Sequence, residues 1–106
     1  MAIVRIETKR IVDWPSFHQV FQEALGFPDF YGGNRDAWID CLSYLGLGDG
    51  MTRFSLQNGE MLSLQIEDTA DFATRLPELF QKMVQCAAFV NARSRHDPRL
   101  ALIFVE

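Results

Sequence analysis

The sequence predicts an α/β domain in which a small three-stranded parallel sheet is packed with helices. Three observations predict it. Short strand-like segments at the start, middle and end alternate with stretches of helical periodicity. Each connection between those segments is long enough for a helical crossover, which parallel strands require. At 106 residues and 48% hydrophobic, the chain has material for one core, so residues 1–106 read as a single domain.

Ala2 to Ile6 is β-branched at Ile3, Val4 and Ile6 and reads as the first strand. Asp13 is the candidate N-cap of the first helix, and Pro15 suits its first turn. Phe17, Val20, Phe21, Ala24 and Leu25 follow at helical spacing, Gly26 ends the stripe, and Pro28 blocks continuation. His18 lies at the edge of this stripe without an acidic or nucleophilic neighbour in the pattern, and reads as a surface histidine. Residues 27–33 (FPDFYGG) form a loop, and Asn34 is the next N-cap. On a helix over 34–45, Ala37, Trp38, Cys41, Leu42 and Leu45 share an apolar arc, while Asp36, Ile39, Asp40 and Ser43 occupy the opposite one. Gly46, Gly48 and Gly50 then make a glycine-rich connection.

Residues 61–66 (MLSLQI) alternate at period two and predict the second strand. Asp68 or Thr69 caps a short helical turn containing Phe72. Pro77 starts a separate helix, because an interior proline would break a single long one. Leu79, Met83, Cys86, Ala87 and Val90 are its buried stripe. Residues 93–99 read as a turn, and the apolar run LALIFV over 100–105 predicts a strand buried on both faces.

Composition narrows the function. Ten Lys and Arg against 14 Asp and Glu give a formal charge of −4. Nucleic-acid binding draws most of its affinity from a basic face, so this balance argues against it and suits a basic protein partner. The acid is concentrated in the middle of the chain, and the end carries Arg93, Arg95 and Arg99. Those arginines are expected to lie away from the 34–45 helix, since a basic partner would repel them. Two cysteines are too few for a disulfide framework and lack metal-site spacing. Cys41 and Cys86 both read as core thiols. With no apolar run suited to a signal peptide or a membrane span, the expectation is a cytoplasmic protein with reduced thiols, not membrane-bound and monomeric when free.

Catalytic motifs are nearly absent. There is no nucleophile elbow, no phosphate-cradling loop and no HExxH. Gly32-Gly33 precedes a helix N-terminus, but Asp29 and Asp36 flank it and repel an anion. Asp36 and Asp40 alone supply too few ligands for a divalent ion, so neither metal nor cofactor is expected. At i,i+4 those two carboxylates stand one turn apart on the solvent face, which costs about 0.2–0.5 kcal/mol. The helix dipole returns about 0.3–1 kcal/mol to Asp36 and less to Asp40. Stability therefore accounts for one acid but not the pair. Acids around Ile39, preceded by Phe30 and Tyr31, suit a patch for a basic partner; an ordinary solvated helix face is the alternative.

The segment FPDFYGGNRDAWIDCL over residues 27–42 resembles the signature of the barstar family, small bacterial inhibitors of secreted ribonucleases. Pro28, Tyr31, Gly32, Asn34, Asp36, Ala37, Asp40, Cys41 and Leu42 fall at matching positions. The resemblance implies a parallel three-stranded sheet with helices and a non-catalytic immunity-type function without cofactor. In the family, this loop and helix plug a ribonuclease active site, with acids standing in for RNA phosphates. By position, Asp40 would be the central contact, Asp36 its neighbour, and Asn34, Gly32, Tyr31 and Phe30 the loop contacts. The chain departs from the pattern where Phe30 replaces a tyrosine and Ile39 replaces the interface tryptophan, with Trp38 one place earlier. Residues 46–60 and 87–99 are longer than in the family's namesake, and Glu78 is the one candidate for its later acidic contacts. Two further readings stand beside inhibition: a non-catalytic module for another basic protein, such as a different toxin or a regulator, and an enzyme using Asp36 and Asp40 with a divalent ion.

Overall fold

A computed structural model describes residues 2–43, 51–54, 56, 60–93 and 99–106. Three strands, β1 (Ala2–Ile6), β2 (Leu62–Ile66) and β3 (Leu100–Phe104), form one parallel sheet in the order β1-β2-β3. Val4 pairs with Leu64, and Leu64 with Leu102. Between β1 and β2 lie α1 (Trp14–Leu25) and α2 (Arg35–Ser43). Between β2 and β3 lie α3 (Thr69–Arg75) and α4 (Pro77–Arg93). Two successive crossovers of the same hand, each moving one strand along, place their helices on one face of the sheet. Val4, Ile6, Leu62, Leu64, Ile66 and Leu100 are buried, whereas Ile3 and Arg5, pointing the other way, are exposed.

The helix boundaries follow local chemistry. The Asp13 carboxylate accepts the Ser16 N–H at 2.9 Å, and the Ser16 hydroxyl accepts the Asp13 N–H at 3.0 Å, a reciprocal cap that starts α1. This hydrogen bonding holds the Asp13 carboxyl below its usual range, the Ser16 backbone contributing most. Gly26 ends α1 with φ +70°, and a Cβ there would lie 3.1 Å from the Arg53 Cβ. Arg53 approaches this closely because its guanidinium donates to the Glu23 and Ala24 carbonyls, satisfying the helix end. Asn34 caps α2, its Oδ1 accepting the Ala37 N–H at 2.8 Å. Asp68 occupies the N-cap position of α3 at φ +48° without a side-chain bond, while the Thr69 hydroxyl donates to the Ile66 carbonyl at 2.7 Å. Pro77 opens α4 as the first residue of a new helix.

Two expectations about the sheet need correction. The 100–105 run was expected to be buried on both faces, yet β3 is an edge strand with Ile103 and Phe104 exposed. The strand covered on both faces is β2, where Leu62, Ser63, Leu64 and Ile66 are all buried. A central position supplies that cover from neighbours on both sides, so β2 tolerates a serine and an alternating pattern. The expected glycine-rich connection over 46–50 and most of the 93–99 turn lie outside the described residues, as does Leu45.

The core joins sheet to helices through an aromatic cluster. Phe17 and Phe21 of α1 pack at 4.6 Å, and Trp38 of α2 meets Phe21 edge-on at 5.6 Å. Trp38 is 1% exposed, and its indole N–H has no acceptor among the described residues. Trp38→Ala is expected to cost about 3–5 kcal/mol of stability, as large-to-small changes in packed cores do. Trp38→Phe should cost less, because it removes the unpaired donor along with part of the ring. Urea denaturation of the three proteins measures both differences.

Candidate functional site: the 27–34 loop and the outer face of α2

The loop entering α2 is anchored from below. Phe27 is buried and packs on the Tyr31 ring at 4.7 Å. The Pro28 carbonyl accepts the Tyr31 N–H at 2.9 Å and the Gln22 side-chain amide at 3.2 Å. The Tyr31 hydroxyl reaches down to Nδ1 of His18 on α1. His18 in turn stacks on Trp14, and the Arg35 guanidinium lies over the Trp14 ring at 5.7 Å. With Tyr31 turned inward, the adjacent Phe30 is left outside, 76% exposed. Gly33 holds φ +66°, which a side chain would resist on backbone grounds alone, since nothing lies within 4 Å of its missing Cβ.

This corrects the reading of His18 as a surface residue: it is 5% exposed and braces the loop. The sequence did carry a signal, because Trp14, His18, Phe21 and Leu25 recur at i, i+4, i+7 and i+11. Burial lowers the His18 pKa from its ordinary 6.5, and burial, more than the neighbouring Cys41, raises the Tyr31 phenol. A neutral imidazole therefore meets an un-ionised phenol. The phenol donates to Nδ1 in one imidazole tautomer and accepts from it in the other.

On α2, Trp38, Cys41 and Leu42 are buried, Ala37 and Ile39 are half-buried, and Asp36 and Asp40 are exposed. The Asp36 carboxylate has no hydrogen-bond or ion-pair partner among the described residues. Burial chiefly, then the Asp40 charge, pushes the Cys41 thiol up, so it is a packed thiol rather than a nucleophile. Cys86 is only half-buried and borders a shallow depression with Asn34, Arg35, Asp36 and Ile39, so it lies at the margin of the core it was expected to enter. A second depression, about 380 Å³, is bordered by Asp36, Ile39, Asp40, Phe89 and Arg93. Asp36 and Ile39 thus border both hollows, and each hollow has an arginine in its lining.

The placement of Arg93 overturns an expectation. The terminal arginines were expected to lie away from α2, but Arg93 Nη1 donates to Asp40 Oδ1 at 2.9 Å and lies 3.3 Å from the Ser43 hydroxyl. Helix α4 packs along α2, and its last turn brings Arg93 beside Asp40. A bridge from Asn91 fixes that end of α4: its Oδ1 accepts the Arg99 and Leu100 N–H groups, and its amide donates to the Leu100 carbonyl. Arg99 therefore sits at the start of β3, and Arg95 lies outside the described residues. Glu78 is exposed in the first turn of α4, at the opposite end of that helix from Arg93. No local pattern in the sequence announced the contact between residues 53 positions apart.

Among the described residues, no three His, Cys, Asp or Glu side chains gather as a metal ion would need, and no helix is long and apolar enough to cross a membrane. The parallel sheet, the capped loop and the acid-bearing α2 agree with the comparison of sequences: the family model described as Barstar (barnase inhibitor) matches residues 1–106. The chain belongs to the barstar family, whose members are non-catalytic inhibitors, and that membership suggests a function of the ribonuclease-inhibitor type. No curated protein matches it.

The buried pair of His18 and Tyr31 has a pH consequence. Folding lowers the histidine pKa, so below about pH 6.5 the unfolded chain binds the proton more readily than the folded one. This contribution is constant above pH 6.5, and it makes stability fall as pH drops from there toward the folded value. Denaturation midpoints between pH 7.5 and 5 should show the fall, and His18→Gln should remove this component of it.

Proposed function

We propose that this protein is a stoichiometric, immunity-type inhibitor of a basic ribonuclease, acting in the cytoplasm and blocking the enzyme's active site with the 27–34 loop and the outer face of α2. The observation that carries the reading is the pairing of Asp36 and Asp40, one turn apart and exposed, on a helix entered from a loop whose Phe30 stands out in solvent. An enzyme that cleaves RNA gathers cations to hold phosphates, and two carboxylates on a rigid helix offer that site a surrogate that it cannot cleave. Ile39 supplies apolar contact between the acids. Gly32 and Asn34 bring the backbone close and cap the helix. Tyr31 acts mainly from within, since its hydroxyl is engaged by His18 and its ring by Phe27.

The charges near α2 are more balanced than the sequence suggested. Asp36 and Asp40 are bordered by Arg35 and Arg93, whose formal charges cancel theirs. Long-range attraction of a basic enzyme then comes from the whole molecule's charge of −4, and short-range recognition from how the carboxylates are presented. A module for a different basic protein is the second reading. It is favoured by Ile39 in place of the family's interface tryptophan and by the arginine on Asp40.

Adding the protein to barnase and to a panel of other basic secreted ribonucleases should give a stoichiometric end point with at least one of them. No inhibition across the panel would remove the ribonuclease from the reading. With a responsive enzyme, Asp40→Ala should weaken binding by about 2–5 kcal/mol, the range for interfacial charge pairs, this family's own complex among them. The same change frees Arg93 to repel a basic partner, so the loss should include a slower association that higher salt partly restores. Stopped-flow rates at two ionic strengths separate the components, and an unchanged fold by circular dichroism is part of the expected result.

A further inference from the structure

We infer that Arg93 is a built-in competitor for Asp40: it holds the carboxylate that a basic partner would take, and thereby lowers the affinity of any cationic partner that must displace it. This rests on the reading of the outer face of α2 as the partner-binding surface. It adds an internal competitor to that surface.

The geometry is that of an exchangeable contact. A single nitrogen, Nη1, reaches both Asp40 Oδ1 and the Ser43 hydroxyl, so the arginine approaches the carboxylate through one nitrogen rather than with its two-pronged edge. Both side chains are about half exposed, 48% for Arg93 and 57% for Asp40. Exposed pairs of this kind shift an equilibrium by no more than about fivefold. The position of Arg93 is nonetheless not accidental. It closes the last turn of a helix whose end is tied to β3 by Asn91, which keeps its local concentration near Asp40 high. The Phe89 ring lies 6.0 Å beneath the guanidinium and is 57% exposed, giving Arg93 an alternative resting place after displacement.

The hollow that Arg93 borders has the chemistry of a guanidinium seat. Asp36 and Asp40 provide acidic rims, while Ile39 provides apolar surface for a face of a planar cation. An incoming arginine that binds Asp40 through two parallel N–H groups gains more than the one-nitrogen contact it replaces. A lysine ammonium is a point charge without that advantage and competes with Arg93 on less favourable terms. The resident arginine raises the threshold for displacement by the same factor for either cation, and the preference between them is set by how each one engages Asp40.

The test titrates acetylated tetra-arginine amide and tetra-lysine amide into the wild type, Arg93→Ala, Arg93→Gln and Asp40→Asn, following backbone amide signals of Ile39 and Asp40 by NMR. Both Arg93 variants should bind tetra-arginine up to about fivefold more tightly than the wild type. Tetra-lysine should gain by a similar factor, so the ratio of the two affinities is unchanged, and Asp40→Asn should lose the response. Equal or weaker binding by both Arg93 variants overturns the inference, as does an absent response at Asp40 in every protein. A drop in thermal stability without the gain in peptide binding would make Arg93 a clamp between α4 and α2, and also overturns it. The same proteins are then mixed with catalytically inactive barnase. A peptide result as expected with no binding of barnase by any of them leaves the competitor role standing and counts against barnase as the target.

Discussion

The burial of Trp38 governs what α2 shows to solvent. Successive residues on a helix are turned by about 100°, so an indole fixed against Phe17 and Phe21 leaves Asp36 and Asp40 each about 160° away, on the far side. The carboxylates are thus placed by an apolar contact they take no part in. Cys41 and Leu42 reinforce the same rotation from the next turn, and α4 supplies the surface on which the helix lies. The cost of the arrangement is a buried indole N–H without an acceptor among the described residues, which the surrounding aromatic packing offsets.

The loop before α2 is organised by the same inward–outward division. Phe27 and Tyr31 are committed to the interior, so Phe30 is exposed as a consequence of spacing. His18 makes this commitment specific, because its ring nitrogen gives the half-buried phenol a partner that an apolar residue would not. The chain of contacts from Tyr31 through His18 and Trp14 to Arg35 ties the start of the loop to the first residue of α2 by way of α1. Two glycines and the Asn34 cap then complete the turn with little side-chain bulk at the surface a partner would approach.

Much of this was legible in the sequence because it is encoded locally. Asp13, Gly26, Asn34 and Pro77 mark helix ends through interactions a few residues long, and the inward rotation of Trp38 follows from helical period alone. The parallel sheet was legible from the length of its connections. What escaped depends on elements distant in sequence. The apolar run of β3 could not reveal that β2 would take the central place, since position in a sheet is a property of topology and not of composition. His18 escaped because it sits at the edge of the apolar stripe with no acidic or nucleophilic neighbour in sequence, while its partner, Tyr31, comes from the next loop. Arg93 was assigned to a separate basic end because charge was counted along the chain, while the packing of α4 on α2 folds that end back onto Asp40.

That fold-back changes what an acidic patch means. Counted by segment, residues 29–49 hold four acids and one base, which suggests a surface that attracts any cation. In space the two helical acids are each bordered by an arginine from a different direction, one from the helix's own first residue and one from α4. If this face is the partner-binding surface, as proposed, partial neutralisation suits a face that stands exposed in the absence of its partner. It lowers the repulsion between Asp36 and Asp40 in the free protein and weakens attraction for cations that merely approach. On the proposed reading of this face, a basic partner reaches Asp40 fully only by displacing Arg93, so net acidity alone does not set how tightly a basic protein is bound.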